Sequence, residues 1–170
     1  FRITLALASV IVLGTDVTSL DSICIVGSSC ICATIEEVVP SNMWTYDIGW
    51  AIVDKRGKVY RTRSYVVADI FLDEKELMQS AYYANKIPQY WEDIKSGKRE
   101  LRTWFYIRKT LMEDIAEFET SEAYAHNMRF DYGTLSTTQR WLTKSKHRYF
   151  FPKDMENLCC GTIWESKGMP

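Results

Sequence analysis

The chain predicts a mixed α/β domain, a sheet flanked by helices, and three observations carry that prediction. Two β-prone runs, residues 46–54 and 59–67, are joined by the basic turn Lys55-Arg56-Gly57-Lys58, the pattern of a hairpin. Residues 99–119 repeat Leu101, Trp104, Phe105, Ile107, Leu111, Met112, Ile115 and Phe118 on one broad face, with Arg102, Lys109, Glu113 and Glu117 mostly opposite. No internal repeat or low-complexity linker separates these segments, so they belong to one domain. The 170 residues, 46% hydrophobic and 25% charged, suffice for a buried core and exclude a disordered, collagen-like or disulfide-stapled chain.

Taken in order, residues 3–13 form an apolar run after Arg2 that is similar to the middle of a signal peptide. Spanning a bilayer takes roughly 20 apolar residues, so the run is too short for that. A buried strand, a helix or an upstream translation artefact accounts for it as well, and residues 1–29 are kept apart from a domain at 30–170. The alternation in Cys24-Ile25-Val26 and Cys30-Ile31-Cys32 reads as small apolar residues in a buried strand. Five cysteines, an odd number at the two ends, favour reduced thiols and a cytoplasmic setting; the spacing of Cys30, Cys32, Cys159 and Cys160 is wrong for tetrahedral zinc.

After the hairpin, residues 74–96 have a helical period interrupted at Pro88 and stopped near Gly97. The amphipathic helix at 99–119 follows, then a short buried strand at 122–127 and a helix from Phe130 to Thr143. Residues 149–152 and 155–163 hold at least one more strand or a mixed element. Tyr82, Tyr83, Trp91, Trp104 and Tyr106 are expected in the core.

Lys plus Arg number 21 against 22 acids, a net charge of -1, so nucleic acid must be argued from local patches. Arg140, Lys144, Lys146, Arg148 and Lys153, with His147, stand among Trp141, Tyr149, Phe150 and Phe151 with no acid between them. Cations that offset phosphates beside aromatic faces that stack on bases suit a nucleic-acid strand. A solvated basic loop over core aromatics is the competing reading. The hairpin cations Lys55, Arg56, Lys58, Arg61 and Arg63 are a second candidate, although hairpin tips are commonly charged.

The sharpest local string is Ala125-His126-Asn127-Met128-Arg129-Phe130-Asp131, a strand end leading into two polar residues and an Asp. Capping of the next helix by Asn127 or Asp131 explains it in structural terms. The string also resembles the second motif of the DEDD 3'-5' exonucleases, a proofreading superfamily with a ribonuclease-H-like fold, in which the Asp ligates metal. Tyr46-Asp47-Ile48-Gly49-Trp50-Ala51-Ile52-Val53-Asp54 is similar to that family's second strand, and the later helices and Tyr149 to Cys159 are similar to phage-encoded members. The resemblance covers about residues 30–163.

It implies that Glu36 and Asp131 are catalytic residues holding Mg²⁺ or Mn²⁺, and that Asn127 positions the motif or the substrate. Arg140, Lys144, Lys146 and Arg148 bind the strand, DNA ahead of RNA, with a polymerase as partner or neighbouring domain and no membrane. Two departures weaken the catalytic expectation. Thr34 stands where the first motif, Asp-x-Glu, has the Asp that bridges two metals. No Tyr-x3-Asp or His-x4-Asp follows Asp131, as if the domain were incomplete at its C-terminus. The expectation is a weak or inactive exonuclease, with a non-catalytic nucleic-acid- or protein-binding domain as the alternative.

Overall fold

The computed structural model describes residues 9–15, 22–32, 43–54, 58–79, 84–125, 128–144 and 149–159. They form a mixed sheet with helices packed on it, in keeping with the α/β expectation. The strands are β1 (Ser9–Thr15), β2 (Ser22–Cys32), β3 (Met43–Asp54), β4 (Val59–Val67), β5 (Glu100–Arg102), β6 (Thr120–Ala125) and β7 (Glu156–Cys159). The helices are α1 (Ala68–Phe71), α2 (Lys75–Gln79), α3 (Ile87–Lys95), α4 (Trp104–Glu117) and α5 (Met128–Thr143).

The strand order is β5-β4-β3-β2-β1-β6-β7, with β2 also paired directly to β6. The β2-β3-β4 stretch is an antiparallel meander, whereas β6 runs parallel to β2 (Cys24 opposite Ala123) and β7 parallel to β6 (Ala123 opposite Asn157). β1 lies antiparallel to both β2 and β6. The apolar N-terminal run therefore contributes a strand from residue 9 onward, and the boundary at residues 29 and 30 falls inside β2.

β3 is the centre of the core. Trp44, Thr45, Tyr46, Asp47 and Ile48 are consecutive and all buried, so both faces of the strand are covered. At Gly49 the meander closes tightly: an added Cβ would stand 2.9 Å from the backbone oxygen of Arg63 across the ladder. A backbone neighbour cannot swing away, so Gly49→Ala is expected to lower stability by about 1–3 kcal/mol. Urea unfolding would measure it, and an unchanged midpoint would refute the clash.

The helix at 99–119 begins later than its periodicity suggests. Thr103 is extended, and its hydroxyl accepts the Tyr106 N-H at 3.4 Å, which caps α4 and leaves Glu100–Arg102 free to pair in parallel with β4. The inward face of α4 is Trp104, Ile107, Leu111, Asp114 and Ile115. Phe105 is not on it: the side chain is 79% exposed. Trp104 is core as expected, whereas Trp91 and Tyr106 are exposed; Tyr82 and Tyr83 lie outside the described residues. The described residues between 74 and 96 include α2, a 3-10 turn at Ala84–Lys86 and α3, and Pro88 sits in the first turn of α3, where its missing N-H costs nothing. Pro88 thus starts a helix instead of interrupting one.

Candidate functional site

α5 leaves the end of β6 and carries the described candidates. Its buried side chains are Met128, Asp131, Thr134, Leu135, Thr138 and Gln139, an unusually polar inward face for a core helix. The polar atoms are used in assembly. The Thr138 hydroxyl donates to the Thr134 carbonyl at 2.8 Å and accepts the Thr45 amide of β3 at 2.8 Å. The Thr134 hydroxyl donates to the Asp131 carbonyl at 3.0 Å, and Trp104 Nε1 donates to Gln139 Oε1 at 2.6 Å, which ties α4 to α5.

Asp131 occupies the first turn of α5 and is fully buried. The helix N-terminus favours an anion there, and a buried carboxylate persists only when hydrogen-bonded, paired or bound to a cation. Glu36, Asn127, Lys146 and Arg148 lie outside the described residues, as do Thr34, His126 and His147. The structure thus places Asp131, Arg140 and Lys144 on one helix and its end. Among the described residues, no group of three or more His, Cys, Asp or Glu could hold a metal ion. Mg²⁺ commonly takes only one or two carboxylates, completing its shell with water and phosphate oxygens, so Asp131 has the donor chemistry of one ligand.

At the other end of α5, Trp141 stacks on Trp44 of β3 with centroids 4.6 Å apart and planes 24° apart. Trp44 is buried, and Trp141 remains 41% exposed. Lys144, just past the helix, has a φ of 51° and holds its Nζ 4.0 Å from the Trp141 ring centre. An exposed cation–π contact is worth about 0.5–1 kcal/mol, less than the roughly 1–3 kcal/mol of a base stacked on an aromatic side chain. Arg140 is also exposed, whereas Phe150 and Phe151 are core, Phe150 lying 4.9 Å from Trp104. Of the aromatics interleaved with cations, Trp141 and Tyr149 face solvent and the two phenylalanines do not. Nothing in the local sequence marked Trp44 as the partner of Trp141.

Two of the hairpin cations, Arg61 and Arg63, are internal partners. Arg61 and Arg63 both donate to the buried Asp114 carboxylate, at 2.7 Å and 3.2 Å, Trp50 Nε1 adds a third donor at 2.9 Å, and Arg61 also pairs with Glu117. Burial pushes the Asp114 carboxyl up, but the donations from Arg63, Arg61 and Trp50 together outweigh it and hold the carboxyl below its usual value. Lys58 covers the Tyr60 ring; Lys55 and Arg56 are outside the described residues. Arg61 and Arg63 are therefore taken up in an ion-pair network that docks α4 on the meander.

Asp47 is a buried carboxylate on β3. The Tyr90 hydroxyl donates to it at 2.8 Å and the Arg99 guanidinium donates to its other oxygen, yet burial dominates and raises its carboxyl above the usual range. Arg99 is shared with Asp93 at 3.4 Å. This cluster ties α3 and the turn after it to the sheet.

A groove of about 710 Å³ runs between α4 and α5, walled by Trp104, Phe105, Met112 and Gln139, with Arg108 donating its Nε to the Phe150 carbonyl at 3.3 Å. Among the described residues, no helix is long and apolar enough to cross a membrane. No protein-family description, no curated protein and no solved structure matches the chain.

Proposed function

We propose that the chain is a ribonuclease-H-like domain of the DEDD exonuclease type, which holds the 3' end of a DNA strand and hydrolyses its terminal phosphodiester with a divalent metal. The carrying observation is Asp131, fully buried in the first turn of the helix that leaves a strand parallel to β2, within the string His126 to Asp131. The antiparallel β2-β3-β4 meander, extended by the parallel strands β6 and β7, accords with the fold that the resemblance implies. β1, beside β2 and β6, and β5, at the far edge, are additions to that plan.

On this reading Asp131 and Glu36 hold Mg²⁺ or Mn²⁺, and Asn127 positions the motif. The ion, when bound, supplies an activated water and offsets charge on the leaving oxygen. The Thr134 and Thr138 hydrogen bonds brace the backbone of α5, the helix that carries Asp131. Arg140, Lys144, Lys146 and Arg148 engage phosphates. A polymerase that passes frayed 3' ends is the fitting partner, in a cytoplasmic, thiol-reducing setting.

A second reading, a non-catalytic nucleic-acid- or protein-binding domain on the same fold, is favoured by Thr34 at the place of the bridging Asp. A neutral hydroxyl is a poor substitute for a carboxylate that bridges two cations. The two readings separate in one experiment. The full chain, given Mg²⁺ or Mn²⁺ and a 5'-labelled single strand, is expected to shorten it slowly from the 3' end. Thr34→Asp is expected to raise the rate at least about tenfold, in line with the 10- to 100-fold cost of disturbing even outer-shell groups. No shortening by either chain, with no metal uptake by calorimetry, would leave only the binding domain.

A further inference from the structure

We infer that Trp141, backed by Trp44 and covered by Lys144, is a base-stacking platform for a single strand of nucleic acid, a few nucleotides from the strand end held near Asp131. The inference rests on the nucleic-acid reading above and names the place where the strand is gripped.

Four observations meet at this surface. The two indoles are stacked at 4.6 Å, so Trp141 is held rigidly from behind while 41% of its surface stays open to solvent. The Lys144 ammonium lies 4.0 Å from the centre of that ring, at the distance of a ring-face contact. A base stacks more strongly than an exposed ammonium holds, so an arriving base displaces the lysine, whose charge is then free for the adjoining phosphate. Lys144 also has a φ of 51°, where glycine fits without penalty and an L side chain does not. The helix end alone would be better served by glycine, so the side chain is retained against a local cost. Arg140 lies exposed on the preceding turn, and the chain carries no acid from residue 140 to residue 153.

Asp131, Thr134, Thr138 and Trp141, at steps of three, four and three residues, form one stripe of α5 whose first three members are buried, so a strand passes beside it and not over it. Ten residues at about 1.5 Å each separate the two ends of that stripe by about 15 Å. At roughly 3.4 Å per stacked nucleotide this is about four nucleotides. Strands shorter than that cannot reach both ends at once.

The test is fluorescence anisotropy of the full chain with labelled oligothymidylates of twelve and of two nucleotides, in EDTA so that nothing is hydrolysed. Trp141→Ala is expected to weaken binding of the twelve-mer about tenfold or more and that of the two-mer less than twofold. Lys144→Gly is expected to weaken the twelve-mer a few-fold and reduce the salt dependence by about one phosphate contact, with the melting temperature unchanged or raised. The glycine variant keeps the test valid if Trp141→Ala fails to fold. Twelve-mer affinity unchanged in Lys144→Gly, or absent in the wild type, would overturn the platform. Hydrolysis of the same strand with Mg²⁺ is followed in parallel. Binding that depends on Lys144 without hydrolysis leaves the platform standing and removes the nuclease; hydrolysis with binding indifferent to Lys144 does the reverse.

Discussion

Asp131→Asn is expected to lower metal-dependent shortening of a 3' strand by at least about 100-fold, because a ligand carboxylate should cost more than the outer-shell groups whose loss costs about 10- to 100-fold. The amide has the same shape, and Asp131 is fully buried, so the substitution removes a charge without opening a cavity. Folding should survive it. The second readout is metal binding itself: a ligand that binds only the folded state stabilises it by about 2.7 kcal/mol at a hundred times its Kd. Added Mg²⁺ or Mn²⁺ should therefore raise the melting temperature of the wild type and not that of Asp131→Asn. Equal hydrolysis by both chains, or equal metal-induced shifts, would show that Asp131 is only a helix-end carboxylate.

The largest loss of stability is expected at Asp114. Its carboxylate is buried and takes hydrogen bonds from Arg61, Arg63 and Trp50, which joins α4 to β3 and β4. Asp114→Ala strands all three donors. Removing one member of a buried ion pair typically costs about 3–5 kcal/mol, and the partial exposure of both arginines places this case near about 3 kcal/mol. The pH dependence has a definite sign. The carboxyl is held below its ordinary 3.8, so its contribution is complete above that pH and is lost as pH falls through the lower, folded-state value. The gap in unfolding free energy between wild type and Asp114→Asn should thus be constant near neutrality and shrink only below about pH 4. Asp47 has the opposite sign: burial raises its carboxyl, so its contribution is present at low pH and is lost as pH rises from 3.8 through the raised value. Comparing two chains that both keep Asp47 cancels it. A gap that grows on acidification would contradict the Asp114 assignment.

Much of the fold was legible in the residues themselves. Alternation marked β2, β-prone runs marked β3 and β4, a helical period marked α4, a helix was expected where α5 lies, and the closing strand expected within 149–152 and 155–163 is β7 at Glu156–Cys159. The late start of α4 was less visible, because Thr103 acts through one hydroxyl and leaves the apolar period of the segment intact. Phe105 illustrates the same limit. It adjoins Trp104 and lies near the apolar side, yet one residue turns a helix by about 100°, enough to carry its ring into solvent.

The site divides in the same way. Asp131 at a helix start, and the run of cations among aromatics after Arg140, could be read locally, since both are properties of neighbours in the chain. Which cations remain exposed could not. Arg61 and Arg63 look like a hairpin tip's solvent charges until α4 brings Asp114 against them, whereas Arg140 and Lys144 stay outside. Trp44 and Trp141 meet where α5 packs on β3, beside the hydrogen bond of Thr138 to the amide of Thr45. Periodicities only a few residues long were enough to mark β2, β3, β4, α4, α5 and the place of Asp131 near a helix start, but not α1 or β5. The tertiary structure alone decided which cations are neutralised and which aromatic faces the solvent, because charge pairing and stacking depend on contacts between segments far apart in the chain.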